Sequence, residues 1–473
     1  MSFRTERDLI GERRIPQDAY YGIHTHRAVE NFPVSGRRVH PELIKSLALV
    51  KQAAAEANLA CGFLQPSIGR AIIQAASEIA EGKLWDQFPV DALQGGAGTS
   101  TNMNMNEVIA NRAIEILGGT KGDYEMVHPI NHVNLSQSTN DVYPTAVRVA
   151  CIRLLLPLAD ALADLQAAFQ AKEAEFAGVL KVGRTEMQDA VPVTLGQEFG
   201  AFAEAIARDR WRLYKVEERL REINLGGTAV GTGLNADRRY IFLVVEKLRT
   251  LTGLGLARAE NTIDPTQNAD IFAEVSGLVK ASAVNLAKIA TDIIILASGP
   301  RAGLAEIHLP EVQAGSSIMP GKVNPVIPEM VVQVAYQVMA NDLAITLATQ
   351  AGKLELNAFL PLVADRLLDS LEIMRRAVER FRLGCVVGIQ ANRERCRQLL
   401  DQSFELITAL VPALGYEQAT EIVLEIERTG RSVTETLLAR GLFTKEELEA
   451  ILAPERLTRP GMVRLRPNST REV

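Results

Sequence analysis

Ser316, Ser317, Lys322 and Asn324 fall within eleven residues, Gly315-Ser-Ser-Ile-Met-Pro-Gly-Lys-Val-Asn-Pro325. Two hydroxyls, a cation and an amide form a set that can hold a carboxylate and move a proton. Gly315 and Gly321 admit backbone angles other residues avoid, while Pro320 and Pro325 fix φ and disfavour helix. The stretch therefore reads as a shaped loop between helices, either a Ser/Gly connector or a loop that meets a ligand. Three further polar loops interrupt the chain at 95–106, 134–141 and 183–192. The first holds Thr99, Ser100, Thr101, Asn102, Asn104 and Asn106. The second holds Ser136, Gln137, Ser138, Thr139 and Asn140, and the third Arg184, Thr185, Glu186 and Gln188. Taken singly, each reads as a turn whose hydroxyls and amides bond local backbone. Four such loops at helix ends can together line a pocket that binds carboxylates through neutral donors and one lysine.

Other chemistries fail on detail. Gly315 to Lys322 has five residues between its glycines where a phosphate loop has four, and Val323 stands where a Ser or Thr would meet magnesium. No Gly-x-Gly-x-x-Gly follows a strand, and no Gly-x-Ser-x-Gly is present. His24 with His26 and His128 with His132 are the close histidine pairs, and neither has a third ligand in a plausible context, so no metal site is expected. The net charge of −6 gives no footprint for nucleic acid. The four cysteines, Cys61, Cys151, Cys385 and Cys396, form no Cys-x-x-Cys pair and read as reduced thiols. The opening Met1-Ser-Phe-Arg-Thr-Glu-Arg-Asp lacks a signal-peptide apolar core, and the helix around Lys288 and Asp292 is too charged for a membrane span. A soluble cytoplasmic protein is expected.

The elements that must position these loops are helices. The chain has 473 residues, 47% apolar but only 5% aromatic, which points to aliphatic helices in two or three domains. Residues 1–40 read as irregular. Helical patterns run from Pro41 to Ala60 and over 67–82, and a helix is expected from Met105. Residues 127–141 read as extended loop, and long helices follow from Pro144 to about 383. Phe202, Ile206, Asp209, Leu213, Val216, Leu220 and Ile223 repeat at spacings of four and three, as do Val275, Val279, Ser282, Leu286, Ile289, Ile293 and Leu296. That is the seam of a helical bundle. Residues 266–297 would span about 48 Å as one helix, and 326–350 and 361–382 are further long segments. Ile293-Ile-Ile-Leu-Ala and Val331-Val-Gln-Val-Ala-Tyr-Gln-Val-Met are apolar nearly all round and need partners on every side, so subunits are expected to pack bundle against bundle. Thr444-Lys-Glu-Glu447 reads as a capping box, and the tail from Arg456 to Val473 as loose. No alternating strand stands out.

These motifs resemble the aspartase/fumarase superfamily. The loop 315–325 is similar to its signature segment. Gly98-Thr-Ser-Thr-Asn-Met-Asn104, Gln137-Ser-Thr-Asn-Asp141, Gly183-Arg-Thr-Glu-Met-Gln-Asp-Ala-Val-Pro192, Gly226-Gly-Thr-Ala-Val-Gly-Thr-Gly-Leu-Asn235 and Tyr20-Tyr-Gly resemble other family segments in the right order. The similarity covers about 1–455. It implies an all-α fold of three domains, placed here at 1–140, 141–392 and 393–473. The middle domain would be a long five-helix bundle carrying loop 315–325 and joining a tetrameric helical core. It also implies a homotetramer whose active sites each draw on three subunits. Within the superfamily the chain leans towards the ammonia-lyases that act on L-aspartate, with the class II fumarases as the alternative. Gly98-Thr-Ser-Thr-Asn102 replaces the fumarase Gly-Thr-Gln-Thr-Asn, and Pro325-Val-Ile-Pro-Glu-Met-Val is similar to aspartases. Glu186 stands where fumarases carry a histidine, so the relay they build with a glutamate at the place of Glu329 cannot operate here. An acidic Glu186 would favour an ammonium over a hydroxyl. His128-Pro-Ile-Asn-His132 also departs from the family's His-Pro-Asn-Asp.

The resemblance implies reversible conversion of L-aspartate to fumarate and ammonium through an enediolate, with no required cofactor and with divalent-cation activation left open. Ser316 would be the general base. Thr99, Ser138 and Thr139, with Ser317, would bind the side-chain carboxylate. Lys322 and Asn324 would bind the α-carboxylate, and Asn140, Thr185 and Glu186 would lie near the amine.

Overall fold

The computed structural model describes residues 2–461. Helices dominate, as the apolar periodicity requires. The order opens with β1 (Phe3–Asp8), β2 (Gly11–Pro16), α1 (Ile23–Asn31), α2 (Pro41–Ala60), α3 (Pro66–Ala80) and α4 (Thr99–Ile116). It continues with α5 (Thr139–Glu175), β3 (Leu180–Thr185), β4 (Gln188–Thr194), α6 (Leu195–Leu220), β5 (Glu222–Ile223), α7 (Arg238–Thr252) and β6 (Ala257–Arg258). Then come α8 (Asp264–Gln267), α9 (Asp270–Leu296), β7 (Ile307–His308), α10 (Val326–Gln350), α11 (Leu360–Gly384) and β8 (Gln390–Ala391). Short helices close the chain: α12 (Arg393–Gln402), α13 (Val411–Leu414), α14 (Tyr416–Thr429), α15 (Val433–Ala439), α16 (Lys445–Ile451) and α17 (Pro454–Leu457).

Two compact units are formed. The first comprises Met1–Ala161, Asp209–Val284 and Gln333–Arg376. Its core is small and aliphatic where α2 meets α3, through Leu47, Ala54, Ile72 and Ala76, all fully buried. The seam residues Val275, Val279 and Ser282 of α9 are buried as the spacing requires. The second unit comprises Leu162–Arg208, Asn285–Val332 and Ala377–Val473. Phe169 lies edge-on to Phe202 and Phe381, with ring centroids 5.8 and 6.2 Å away, in the offset geometry aromatic quadrupoles prefer. Its short terminal helices close around Leu410, Ile422, Leu437 and Leu448.

Several sequence expectations are corrected. Residues 1–40 are ordered: β1 and β2 pair antiparallel, with Arg4 donating to the carbonyls of Pro16, Ala19 and Tyr21. A polar ladder of this kind shows no apolar alternation, so the pattern hid it. Residues 183–192 are likewise a hairpin, β3–β4, rather than a loop. Helix α4 begins at Thr99, not Met105, because its asparagines are buried and bonded in tertiary contacts that outweigh their weak helix propensity. The 127–141 stretch contains a π-helical turn, Pro129–Val133, before α5 starts at Thr139. The segment from 266 is not one helix, since Asn268 turns out of α8 into extended backbone. Ile223 lies in β5, beyond the end of α6. The Thr444–Glu447 capping box forms in both directions, and Ser432 with Glu435 makes a second. The expected loose tail at 456–473 begins within α17, and residues 462–473 lie outside those described.

Among the described residues, α10 is long and apolar enough to cross a membrane by length and composition. Its middle argues for a protein interior instead. Asp342 is buried and accepts from Ser276 Oγ at 2.7 Å and Lys280 Nζ at 2.6 Å. A carboxylate held by a hydroxyl and an ammonium is not placed in hydrocarbon without large cost. Tyr336, Leu343 and Leu347 of the same helix are more than half exposed in this chain, as are Trp211 and Tyr214 of α6.

Candidate active site

In the first unit the helices α4 and α5 begin at polar turns. Gly98 has φ +93°, and a Cβ there would lie 2.4 Å from the Tyr143 ring, so only glycine lets the start of α4 sit against α5. Asn102 Nδ2 donates to Thr139 Oγ1 at 3.0 Å. The hydroxyl hydrogen of Thr139 is then free to point elsewhere. Ser138 Oγ accepts the Asn140 N–H at 3.2 Å, which leaves its hydrogen free as well. Thr99 differs: its hydroxyl donates to the Gly96 carbonyl at 2.7 Å. Its oxygen, not its proton, is turned outward.

Asp141 braces this turn from below. It is fully buried, and its carboxylate accepts the N–H groups of Ser138, Gly226 and Thr228 at 2.9, 3.0 and 3.1 Å. It thereby joins the 136–141 turn to the Gly-rich turn at 226–235. Burial pushes the Asp141 carboxyl up to about 6, against the pull of those N–H groups and of Lys51. Pro144 lies inside α5 and has no N–H, which frees the carbonyl of Asn140. Asn224 Nδ2 takes that carbonyl at 2.9 Å, and Asn140 Nδ2 donates to the Ala229 carbonyl at 2.7 Å. Asn140 is thus fixed by backbone and side chain alike.

Lys51 was not legible as part of this site. It sits on the apolar face of α2 with no exposed surface. Its ammonium donates to Asn134 Oδ1 and Gln137 Oε1, both at 2.9 Å. Burial pulls it down to about 7, opposed by the Asp141 charge. The one signal in the sequence is a lysine inside Ala- and Leu-rich helical periodicity.

In the second unit, Thr185 and Glu186 occupy the end of the β3–β4 hairpin. Glu186 and Met187 form its two-residue turn at φ +54° and +65°, the left-handed pair that suits hairpin twist but strains non-glycine residues. Gly183 sits at a register shift, where a Cβ would meet the Val191 carbonyl oxygen at 2.6 Å. Behind the tip, Arg184 Nη1 donates to both oxygens of Glu306, each at 3.0 Å. Lys181 Nζ lies 3.1 Å from Glu306 and 2.7 Å from Glu198. Glu306 and Lys181 are buried, so this carboxylate is compensated by two cations in a dry interior. Cys396 Sγ donates to the Glu306 carbonyl, and burial raises its thiol well above the ordinary value.

Loop 315–325 closes on itself. Gly315 N–H donates to the Lys322 carbonyl at 2.8 Å, and Asn324 Nδ2 to the Gly315 carbonyl at 2.6 Å. A Cβ at Gly315 would lie 2.6 Å from that Lys322 oxygen, and Gly321 turns at φ +76°. Within the pinch, Ser316 Oγ accepts the N–H groups of Ile318 at 3.2 Å and Met319 at 2.9 Å. Donors aimed at a hydroxyl oxygen favour its anionic form. Ser317, Lys322 and Glu186 are exposed, and Lys322 and Glu186 meet no charged partner among the described residues. Asn324 gives one of its two Nδ2 hydrogens to the loop itself.

The structure therefore gathers Thr99, Ser138, Thr139 and Asn140 in one unit, and Thr185, Glu186, Ser316, Ser317, Lys322 and Asn324 in the other. No hydrogen bond or ion pair joins the hairpin tip to loop 315–325 among the described residues. Lys51 and Glu306 are the supporting groups that motif reading did not single out.

A family model described as lyase matches residues 11–340, and one described as fumarase C C-terminus matches 406–459. The aspartate ammonia-lyase of Bacillus subtilis (strain 168) is 51% identical over 460 residues, covering 97% of each chain. That of Escherichia coli (strain K12) is 45% identical over 462 residues, again 97% of each. A fumarate lyase:delta crystallin from Brucella melitensis, solved bound to cobalt, superposes with a TM-score of 0.94 at 49% identity over 97% of this chain and 100% of that one. A class II fumarase from Schistosoma mansoni gives 0.92 at 33% identity over 96% and 98%.

Proposed function

The chain belongs to the aspartase/fumarase superfamily of lyases, and from that membership we infer that it is a carbon–nitrogen lyase converting L-aspartate reversibly to fumarate and ammonium. One observation carries the choice of substrate. Relatives named aspartate ammonia-lyase share 45–51% identity over nearly the full length, whereas the class II fumarase shares 33%.

The reaction removes a weakly acidic proton from the carbon beside the substrate's side-chain carboxylate, and ammonia leaves from the neighbouring carbon. Charge builds on that carboxylate only as the enediolate forms, so donors placed there act on the transition state more than on the ground state. Ser138 and Thr139, each with a hydroxyl hydrogen left free, suit this task, and Thr99 and Ser317 are further candidates for the same carboxylate. Lys322 and Asn324 take the α-carboxylate. Asn140, Thr185 and Glu186 face the amine. Ser316 is the base: two backbone N–H groups already hold its oxygen. The scheme needs no cofactor, because it consists of one proton removal and one departure.

The active enzyme is a homotetramer whose sites are each built from three subunits. The exposed apolar side chains of α6 and α10 support packing of bundle against bundle. Sedimentation tests the assembly; a monomer at micromolar concentration would overturn it. For the reaction, fumarate absorbance is followed with L-aspartate and with L-malate. Fumarate from aspartate alone is expected; fumarate from malate alone would make the chain a hydratase.

A further inference from the structure

We propose that Lys51 is a positioning residue that sets the direction of the Thr139 hydroxyl through a buried chain of side-chain amides, keeping its hydrogen for a substrate carboxylate. The proposal rests on the reading of Thr139 as a carboxylate-binding residue.

The argument is one of donors and acceptors. An ammonium has three donors and no acceptor. Any group that bonds the Lys51 ammonium must therefore offer an oxygen, and Asn134 Oδ1 and Gln137 Oε1 do so at 2.9 Å. Once the Asn134 oxygen is fixed there, its other neighbours must donate to it. Asn102 Nδ2 does so at 3.3 Å and Asn106 Nδ2 at 3.1 Å. Asn102 Nδ2 also donates to Thr139 Oγ1 at 3.0 Å, so the Thr139 oxygen is the acceptor and its hydrogen is left over. The backbone agrees with this sense: Asn134 Nδ2 donates to the Gln137 carbonyl at 3.2 Å, and Gln137 Nε2 to the Val133 carbonyl at 2.9 Å. In the reversed sense, Asn102 would turn its oxygen towards both Thr139 and the Asn134 oxygen. Thr139 would then spend its hydrogen inward. The Lys51 charge opposes that reversal from a fully buried position, where solvent cannot substitute for it.

A lysine that merely fills α2 predicts something different from a lysine that acts through Thr139, and a double-mutant cycle separates them. Lys51→Met, Thr139→Val and the double variant are made in the full-length assembled enzyme. Inhibition by succinate, a dicarboxylate without an amine, is measured beside kcat and KM for L-aspartate. Thr139→Val is expected to raise the succinate inhibition constant about tenfold, as is lost when a hydrogen bond to a charged group is removed. Lys51→Met is expected to raise it similarly, and the double variant no further than Thr139→Val alone. Multiplying factors would overturn the proposal while leaving the carboxylate role of Thr139 standing. Unchanged inhibition in Thr139→Val would remove that role and the proposal with it. Should Lys51→Met fail to fold, Asn102→Leu, which deletes the linking donor at similar size, takes its place in the cycle with the same expected outcomes.

Discussion

Ser316 Oγ accepts the backbone N–H of Met319 at 2.9 Å, within a loop whose two ends are tied by Gly315 and Lys322. A serine hydroxyl is barely acidic in water, and this contact is the kind that lets its oxygen carry charge. Ser316→Ala should leave assembly intact and lower kcat by about a hundredfold or more, the scale of a lost general base. Steady-state turnover beside sedimentation checks this; near-normal kcat would sink the assignment.

Lys322 is exposed and meets no charged partner among the described residues, so its ammonium is available for a substrate carboxylate. Lys322→Ala should raise KM for L-aspartate by about tenfold or more, since hydrogen bonds to charged groups contribute about 1.5–3 kcal/mol. The succinate inhibition constant should rise in step. An unchanged KM would show that Lys322 does not bind substrate.

Glu186 sits at the hairpin tip with no cationic partner among the described residues. If it meets the amine, Glu186→Gln should raise KM for L-aspartate several-fold while leaving succinate inhibition unmoved, because succinate has no amine. Equal effects on both ligands would place Glu186 near a carboxylate or nowhere near substrate.

Glu306 compensates Lys181 and Arg184 in a dry interior. Removing one partner of such a cluster leaves buried charge unpaired, at a cost of about 3–5 kcal/mol. Glu306→Ala should therefore show a clear loss of thermal stability by calorimetry. Turnover should fall as well, because the hairpin that carries Thr185 loses its brace.

Arg27 holds the Asp8 carboxyl down to about 2 through a two-pronged contact, Nε to Oδ2 at 2.7 Å and Nη2 to Oδ1 at 2.8 Å. A depressed carboxyl contributes stability above its ordinary titration range and loses it as pH falls towards the folded value. Asp8→Asn should thus lower Tm by a few degrees at neutral pH, and the difference should close as pH approaches 2. A difference independent of pH would mean that the pair is held by geometry alone.

The parts that were legible in the sequence are those where one periodicity governs many residues. Val275, Val279, Leu286, Ile289 and Ile293 repeat along α9 and are all buried. The loop around Ser316 was legible because its glycines and prolines allow few conformations. The hairpins were not, since β1–β2 is held by Arg4 reaching distant carbonyls and β3–β4 packs one face only in part. The start of α4 was hidden for a related reason. A run of Thr and Asn reads as loop until tertiary partners such as Thr139 and Asn134 absorb its amides. Lys51 and Glu306 are not legible in the sequence because a buried charge is identified by its surroundings, and its surroundings come from distant parts of the chain.

Pro144 gives α5 a registration mark. The carbonyl it releases belongs to Asn140, and Asn224 reads that one carbonyl. In a helix of about 3.6 residues per turn, one residue inserted between Asn140 and Pro144 would swing the released carbonyl about 100° round the axis, away from its reader. A helix of 37 residues thus has its rotational phase set within its first turn. Substitutions along its length can be absorbed one by one, but an insertion or deletion ahead of Pro144 would be felt by every side chain that α5 presents.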